Sequence, residues 1–205
     1  MADPAKRKAT YQDVLDAPAH LNAEIIGGEL RLTPRPAGPH TVAASSLGAL
    51  VGSPFGHGIN GPGGWIILDE PELHLGSDIV IPDLAGWRRS RLPSVPHEAY
   101  FTLAPDWVCE VLSPSTEVTD RSEKLPIYAN AGVGHAWLVD PVQRMLEVMR
   151  LHEGRWLILA VHHGDQRVRA EPFEALELDL AILWADIAPP PPPSRASEPA
   201  AEYER

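Results

Sequence analysis

The sequence predicts a mixed α/β or α+β domain built around one mixed sheet, with a helix and a hairpin at its N-terminal end. Three observations lead there. Helical and strand-like periodicities alternate along the chain rather than segregating. Two short apolar runs, DWVCEVL and HAWLVDP, flank a helical segment and read as buried central strands. Alternating runs joined by glycine-containing turns near both ends read as hairpins. With 205 residues the chain is long enough to bury a sizeable core in one domain.

The elements follow in order. The start, MADPAKRKAT, reads as a frayed terminus over residues 1–9. In TYQDVLDA, Tyr11, Val14 and Leu15 share a helical face and Pro18 closes the segment. AEIIGGELRLTP alternates about Gly27-Gly28, a tight hairpin. HTVAASSLGALVG offers Val42, Ala43, Ser46, Leu47 and Leu50 on one face of a second helix. GHGINGPGG lacks the Lys-Ser or Lys-Thr ending of a phosphate-binding loop and opens no helix, so it is expected to be a plain loop. WIILDEPELHLG reads as two short strands and DIVIPDLAGW as a third, followed by a surface connection from Arg88 to Pro105. After DWVCEVL, the pair Asp120 and Glu123 has capping-box spacing for a helix running to about Ala131, with Pro126 in conflict inside it. HAWLVDP, the hairpin MLEVMRL/RWLILAVH, and a short strand with a helical turn in FEALELDLAILW complete residues 10–187. The remainder, 188–205, is proline-rich and polar, a composition that does not support a packed element.

Composition narrows the chemistry. A single cysteine, Cys109, rules out an internal disulfide framework and a cysteine-rich zinc site, and suits a reducing cytoplasm. No histidines stand at HExxH spacing, and Ser113 and Ser115 lack a GxSxG elbow. No apolar run reaches 18 residues and no basic-then-apolar leader is visible, so neither a membrane span nor a secretory signal is expected. The net charge is -11; residues 188–205 contribute about -1 of it, so the folded body carries no broad basic surface.

Two acids stand where acids are costly. Strand alternation puts Val108, Glu110 and Leu112 on one face of DWVCEVL, with Trp107, Cys109 and Val111 on the other. Glu110 is therefore set among apolar residues, and a buried carboxylate needs a metal or a cation beside it. Asp83 follows Pro82 after the run Ile79-Val80-Ile81. An aspartate after a proline can also simply end a strand or cap a turn. Lys124 follows on the next helix with Tyr128 four residues later on the same face, although a helix lysine is also an ordinary solvated residue. Paired acids holding Mg²⁺, with a lysine to orient water or stabilise developing charge, are what phosphodiester hydrolysis requires.

In this order, Asp83, Glu110 and Lys124 resemble the PD-(D/E)XK nuclease superfamily. More narrowly, AEIIGGELRLTPRPAGPH, DIVIPDLAGWRRSRL, APDWVCEVLSPSTEVTDRSEKLPIYANAGVGHAWLVDP and FEALELDLAILW are similar to the Uma-type restriction endonuclease family. The resemblance implies a restriction-endonuclease-like fold, a mixed sheet flanked by helices. It implies catalytic residues Asp83, Glu110 and Lys124, with Asp83 and Glu110 as metal ligands and Glu24 joining the acidic cluster. It also implies a divalent metal, Mg²⁺ or Mn²⁺ in its place, nucleic acid and in particular DNA as substrate, and a homodimer for cutting two strands. The usual lysine two residues after the second acid is absent, since Leu112 stands there; the resemblance moves that role to Lys124. His40 matches the histidine opening the family's next helix. Two other readings remain beside endonuclease: a catalytically silent binding module on the same scaffold, and a hydrolase of a small phosphate ester.

Overall fold

The computed structural model describes residues 7–35 and 38–188. Short helix α1 (Tyr11–Leu15) is capped by Thr10 and leads into the hairpin β1 (Leu21–Ile26) and β2 (Glu29–Pro34). Its turn needs left-handed backbone at two successive positions, φ 61° at Gly27 and 82° at Gly28, which explains the glycine pair. Of the start expected to fray, residues 7–9 are described and are docked: Ala9 N donates to Gly28 O at 2.8 Å and Arg7 pairs with Asp13. Of the tail expected from residue 188, only Ala188 lies within the described residues.

Helix α2 (Gly38–Val51) buries His40, Ala43, Leu47 and Val51, a stripe shifted from the expected face, on which Val42, Ser46 and Leu50 are only half-buried. A wide turn over Gly52–Gly56 and the glycine-rich loop follow. Then come β3 (Trp65–Asp69), β4 (Leu73–Leu75), β5 (Asp78–Val80), β6 (Leu84–Arg88) and β7 (Trp107–Val111). A broken helix follows as α3 (Glu117–Thr119), a π-helical segment (Asp120–Lys124) and α4 (Leu125–Asn130). The chain ends in β8 (His135–Asp140), β9 (Met145–His152), β10 (Arg155–His163), β11 (Arg167–Val168), β12 (Leu178–Asp179) and a 3₁₀ turn (Leu180–Leu183).

Among the described residues the strands form not one sheet but three. A mixed sheet of order β10-β9-β8-β7-β6-β3 carries one parallel pair, β7 with β8. A second, antiparallel sheet has the order β2-β1-β5-β4, and β11 pairs with β12. The division corrects the reading of DIVIPDLAGW as one strand. The run breaks at Ile81-Pro82-Asp83, so that β5 joins the smaller sheet and β6 the larger. Pro82 has no N–H to give to a ladder, so a continuous central strand cannot pass through it.

A second correction concerns the helix expected to start at Asp120. Helical backbone begins at Glu117 after Thr116, and Asp120 lies inside the element, buried, rather than capping it. Pro126 is accommodated at the first turn of α4, where the preceding π-helical segment has shifted the hydrogen-bond ladder.

The core lies on both faces of the larger sheet. Trp107, Cys109 and Val111 pack with α2 and the C-terminal segment, and Val108 and Leu112 with Tyr128 and Leu125. Phe173 sits among Phe55, Trp65, Trp107 and Trp137, ring centroids 4.7 to 5.5 Å away. The tryptophans are thus packing residues, and Cys109 is buried, with burial pushing its thiol up. Among the described residues no helix is long and apolar enough to cross a membrane.

Candidate functional site

The site forms where the two sheets separate. In the antiparallel register of β6 with β7, Leu84 faces Cys109, which brings Asp83, one residue earlier, across from Glu110. Asp83 is fixed from two sides. Its Oδ2 accepts the Val111 N–H at 2.6 Å, and its Oδ1 lies 3.0 Å from His40 Nε2 on α2. His40 is itself buried, and its Nδ1 has no hydrogen-bond partner.

Glu110, 2 % exposed, faces the π-helical segment and α4. Its Oε1 accepts from Tyr128 Oη at 2.5 Å and lies 2.9 Å from Lys124 Nζ. Lys124 Nζ is also 3.2 Å from Glu24 Oε1 and 3.7 Å from Asp120 Oδ1, and it donates to the Ile81 carbonyl at 3.0 Å. Glu24 Oε1 in turn accepts the Ile81 N–H at 2.7 Å. Both backbone groups of the residue at the strand break are thereby held by side chains of the site. All four predicted site residues, Asp83, Glu110, Lys124 and Glu24, line one cavity of about 140 Å³.

Charge is unbalanced in this cavity. The carboxyls of Glu24, Asp83, Glu110 and Asp120 line it together with two cations, Lys124 and Arg31, of which Arg31 is paired with Glu123. Burial pushes the Glu110 carboxyl well above the usual carboxylate range; Lys124 and the Tyr128 hydrogen bond oppose it, while Asp120 and Asp83 add to it. Burial likewise pushes Asp120 up to about 6 against the pull of Lys124. Burial alone would lower Lys124, but the surrounding Glu110, Tyr128, Glu24 and Asp120 hold it well above the usual amine range, so it remains an ammonium.

The donor set fits a hard divalent cation in kind, being oxygen-rich and in excess negative charge. Among the described residues no group of three His, Cys, Asp or Glu is arranged to hold a metal ion. A cation here would therefore take the carboxylates of Asp83 and Glu110 and complete its shell with water and substrate oxygens, the usual habit of Mg²⁺.

Three participants carried weaker sequence signals. Asp120 stands four residues before Lys124, a spacing that puts both on one helix face, but it also matched a helix cap. Tyr128, sharing a helix face with Lys124, and His40, opening α2, carried no sequence signal of these partners; their contacts to Glu110 and Asp83 depend on tertiary packing. The hydroxyls of Ser113, Ser115, Thr116 and Thr119, clustered in LSPST and the turn after it, add a polar wall to the cavity.

A family model, Uma2, described as "Putative restriction endonuclease", matches residues 9–182. The chain belongs to the Uma2 family. A solved structure is similar to this Uma2 chain in fold: "a putative nuclease belonging to DUF820 from Anabaena variabilis ATCC 29413", with TM-score 0.68 and 24% identity, covering 86% of this chain and 98% of that one. No curated protein matches the Uma2 chain. Its architecture is the restriction-endonuclease-like α+β fold that the sequence led one to expect.

Proposed function

We propose that this Uma2 protein is a metal-dependent endonuclease that hydrolyses phosphodiester bonds of nucleic acid, DNA in the first place. The observation that carries the reading is the convergence of Asp83, Glu110, Lys124 and Glu24 in one cavity that four carboxyls share with two cations, Lys124 and Arg31. Asp83 and Glu110 would hold Mg²⁺, or Mn²⁺ in its place. The metal supplies Lewis-acid neutralisation of the phosphate and a more acidic water.

The chain's own residues prepare for this. The Val111 N–H and His40 fix the orientation of Asp83, and Tyr128 fixes that of Glu110, so that neither acid has to be ordered at the moment of reaction. Lys124 provides the positive charge that developing negative charge on the phosphate needs, and Glu24 anchors it. Residues 10–187 act as one catalytic domain. The lone Cys109 suits a reducing cytoplasm, and two copies together would cut both strands of a duplex.

The test is a cleavage assay of DNA and RNA with and without Mg²⁺ or Mn²⁺, run beside Glu110→Ala, together with metal binding by calorimetry. Metal-dependent cleavage by the wild type that is lost in Glu110→Ala is expected. No cleavage of either polymer, and no metal binding that Glu110→Ala removes, would sink the reading. The net charge of -11 favours a second reading, a catalytically silent binding module on the same scaffold. A protein that binds metal through Glu110 but cleaves neither polymer nor a small phosphate ester supports that one.

A further inference from the structure

We infer that Lys124 is the stand-in for the metal: in the metal-free protein its ammonium takes the charge position a divalent cation would occupy, and cation binding releases it toward the phosphate. The inference rests on the metal-dependent reading above and adds an order of events to it.

The geometry is specific. An ammonium has three protons to donate. Those of Lys124 have three acceptors within reach, Glu110 Oε1 at 2.9 Å, the Ile81 carbonyl at 3.0 Å and Glu24 Oε1 at 3.2 Å, with Asp120 at 3.7 Å as a further anion. The side chain is 5% exposed. As it stands, the Lys124 ammonium donates to the Ile81 carbonyl and is ion-paired with Glu110 and Glu24, so its charge is engaged by the protein rather than by a substrate, although it lines the same cavity as both acids.

The carboxylate it holds most closely is Glu110, one of the two acids proposed to bind metal. A divalent cation arriving at Glu110 meets the ammonium as a like charge in a site shielded from water, where such repulsion is strong. Glu110 satisfies the incoming cation and has less need of the lysine. The four-carbon stem of Lys124 can then swing while Glu24 and Asp120 keep its charge near the cavity. Its place at the end of the π-helical segment, where helix hydrogen bonding is already irregular, favours such movement. Linkage makes the relation reciprocal: if the cation loosens Lys124, then Lys124 weakens the cation's binding by the same factor.

Removing the lysine therefore has a distinctive sign. Calorimetric titration with Mn²⁺ should show Lys124→Met binding the metal about tenfold more tightly or better than the wild type, even though the variant loses cleavage. Equal or weaker binding by Lys124→Met overturns the inference. Should that variant fail to fold, the wild type decides. Lysine occurs only at positions 6, 8 and 124, so the ζ-nitrogen resonance of Lys124 can be assigned and followed by NMR during a Mg²⁺ titration. It should be protected from exchange without metal and should shift and exchange faster as Mg²⁺ saturates; an unchanged resonance at saturation overturns the inference. A wild type that binds neither cation removes the metal-dependent reading itself, whereas one that binds with an immobile Lys124 removes only the stand-in.

Discussion

Tyr128 does for the buried Glu110 what His40 does for the half-buried Asp83: each holds an acid in one orientation. The Tyr128 hydroxyl donates to Glu110 Oε1 at 2.5 Å, a short hydrogen bond. Tyr128→Phe keeps the ring packing and removes only that bond, so metal affinity measured by calorimetry should fall about 10- to 100-fold, with a stability loss of roughly 1.5–3 kcal/mol in urea denaturation. His40→Ala should weaken metal binding to a similar degree, and His40→Gln should restore part of it by returning a donor near Asp83. Asp120 makes a prediction about pH. An acid whose folded-state pKa is raised binds protons on folding, so its destabilising effect is absent below about 4, grows between there and about 6, and is complete above. Metal-free protein should therefore lose stability from this group as pH rises through that window, by roughly 3 kcal/mol at most. Comparison of denaturation midpoints for wild type and Asp120→Asn from pH 4 to 7 isolates it: the two curves should approach each other at low pH and diverge at neutral pH. Parallel curves would show that Asp120 titrates normally.

The elements matter because their irregularities make the site. Had β5 and β6 been one strand, Ile81 would spend its N–H and carbonyl on a ladder rather than on Glu24 and Lys124. Had the helix after β7 been regular, Asp120, Lys124 and Tyr128 would follow a plain 3.6-residue repeat; the π-helical segment instead inserts its wide turn between α3 and α4. The sequence made the acids legible, because a glutamate inside DWVCEVL and an aspartate after a run of β-branched residues contradict their surroundings. It made the regular elements legible through their periods. The break at Pro82 was masked by the apolar side chains on either side, since hydrophobic pattern records what a residue buries and not whether its N–H has a partner. The true helix start was masked by the accidental capping spacing of Asp120 and Glu123. Strand β6, whose start brings Asp83 across from Glu110, also carries a packing constraint. A Cβ on Gly86 would stand 3.2 Å from the Trp107 ring and 3.3 Å from that of Trp65, both held in a packed aromatic cluster that would have to give by a few tenths of an ångström. Gly86→Ala should cost about 1–3 kcal/mol, read as a lower midpoint in chemical denaturation. A neutral result would mean that the two indole rings shift together.

At the scale of the whole molecule, the charge of the protein opposes its proposed substrate. The net charge is -11, and residues 188–205 account for about -1 of it, so a polyanion approaching the folded body meets net repulsion. At the cavity mouth, Arg31 is already engaged by Glu123 at 3.1 Å and Glu29 at 3.8 Å. Little affinity is therefore available from displacing counterions along a nucleic-acid backbone. A protein making 6–10 phosphate contacts loses on the order of 10³–10⁵ in affinity between 50 and 200 mM salt. For this chain the loss over the same range should be no more than about tenfold, because on the proposed reading its hold on substrate would come from the metal-carrying cavity and not from a basic track. Fluorescence anisotropy of labelled DNA with the cleavage-deficient Lys124→Met variant and Mg²⁺ present measures it directly, and omission of Mg²⁺ should abolish most of the binding at every salt concentration. A steep decline with salt that persists without Mg²⁺ would locate a basic surface that the charge distribution does not provide, and would transfer substrate recognition from the cavity to that surface.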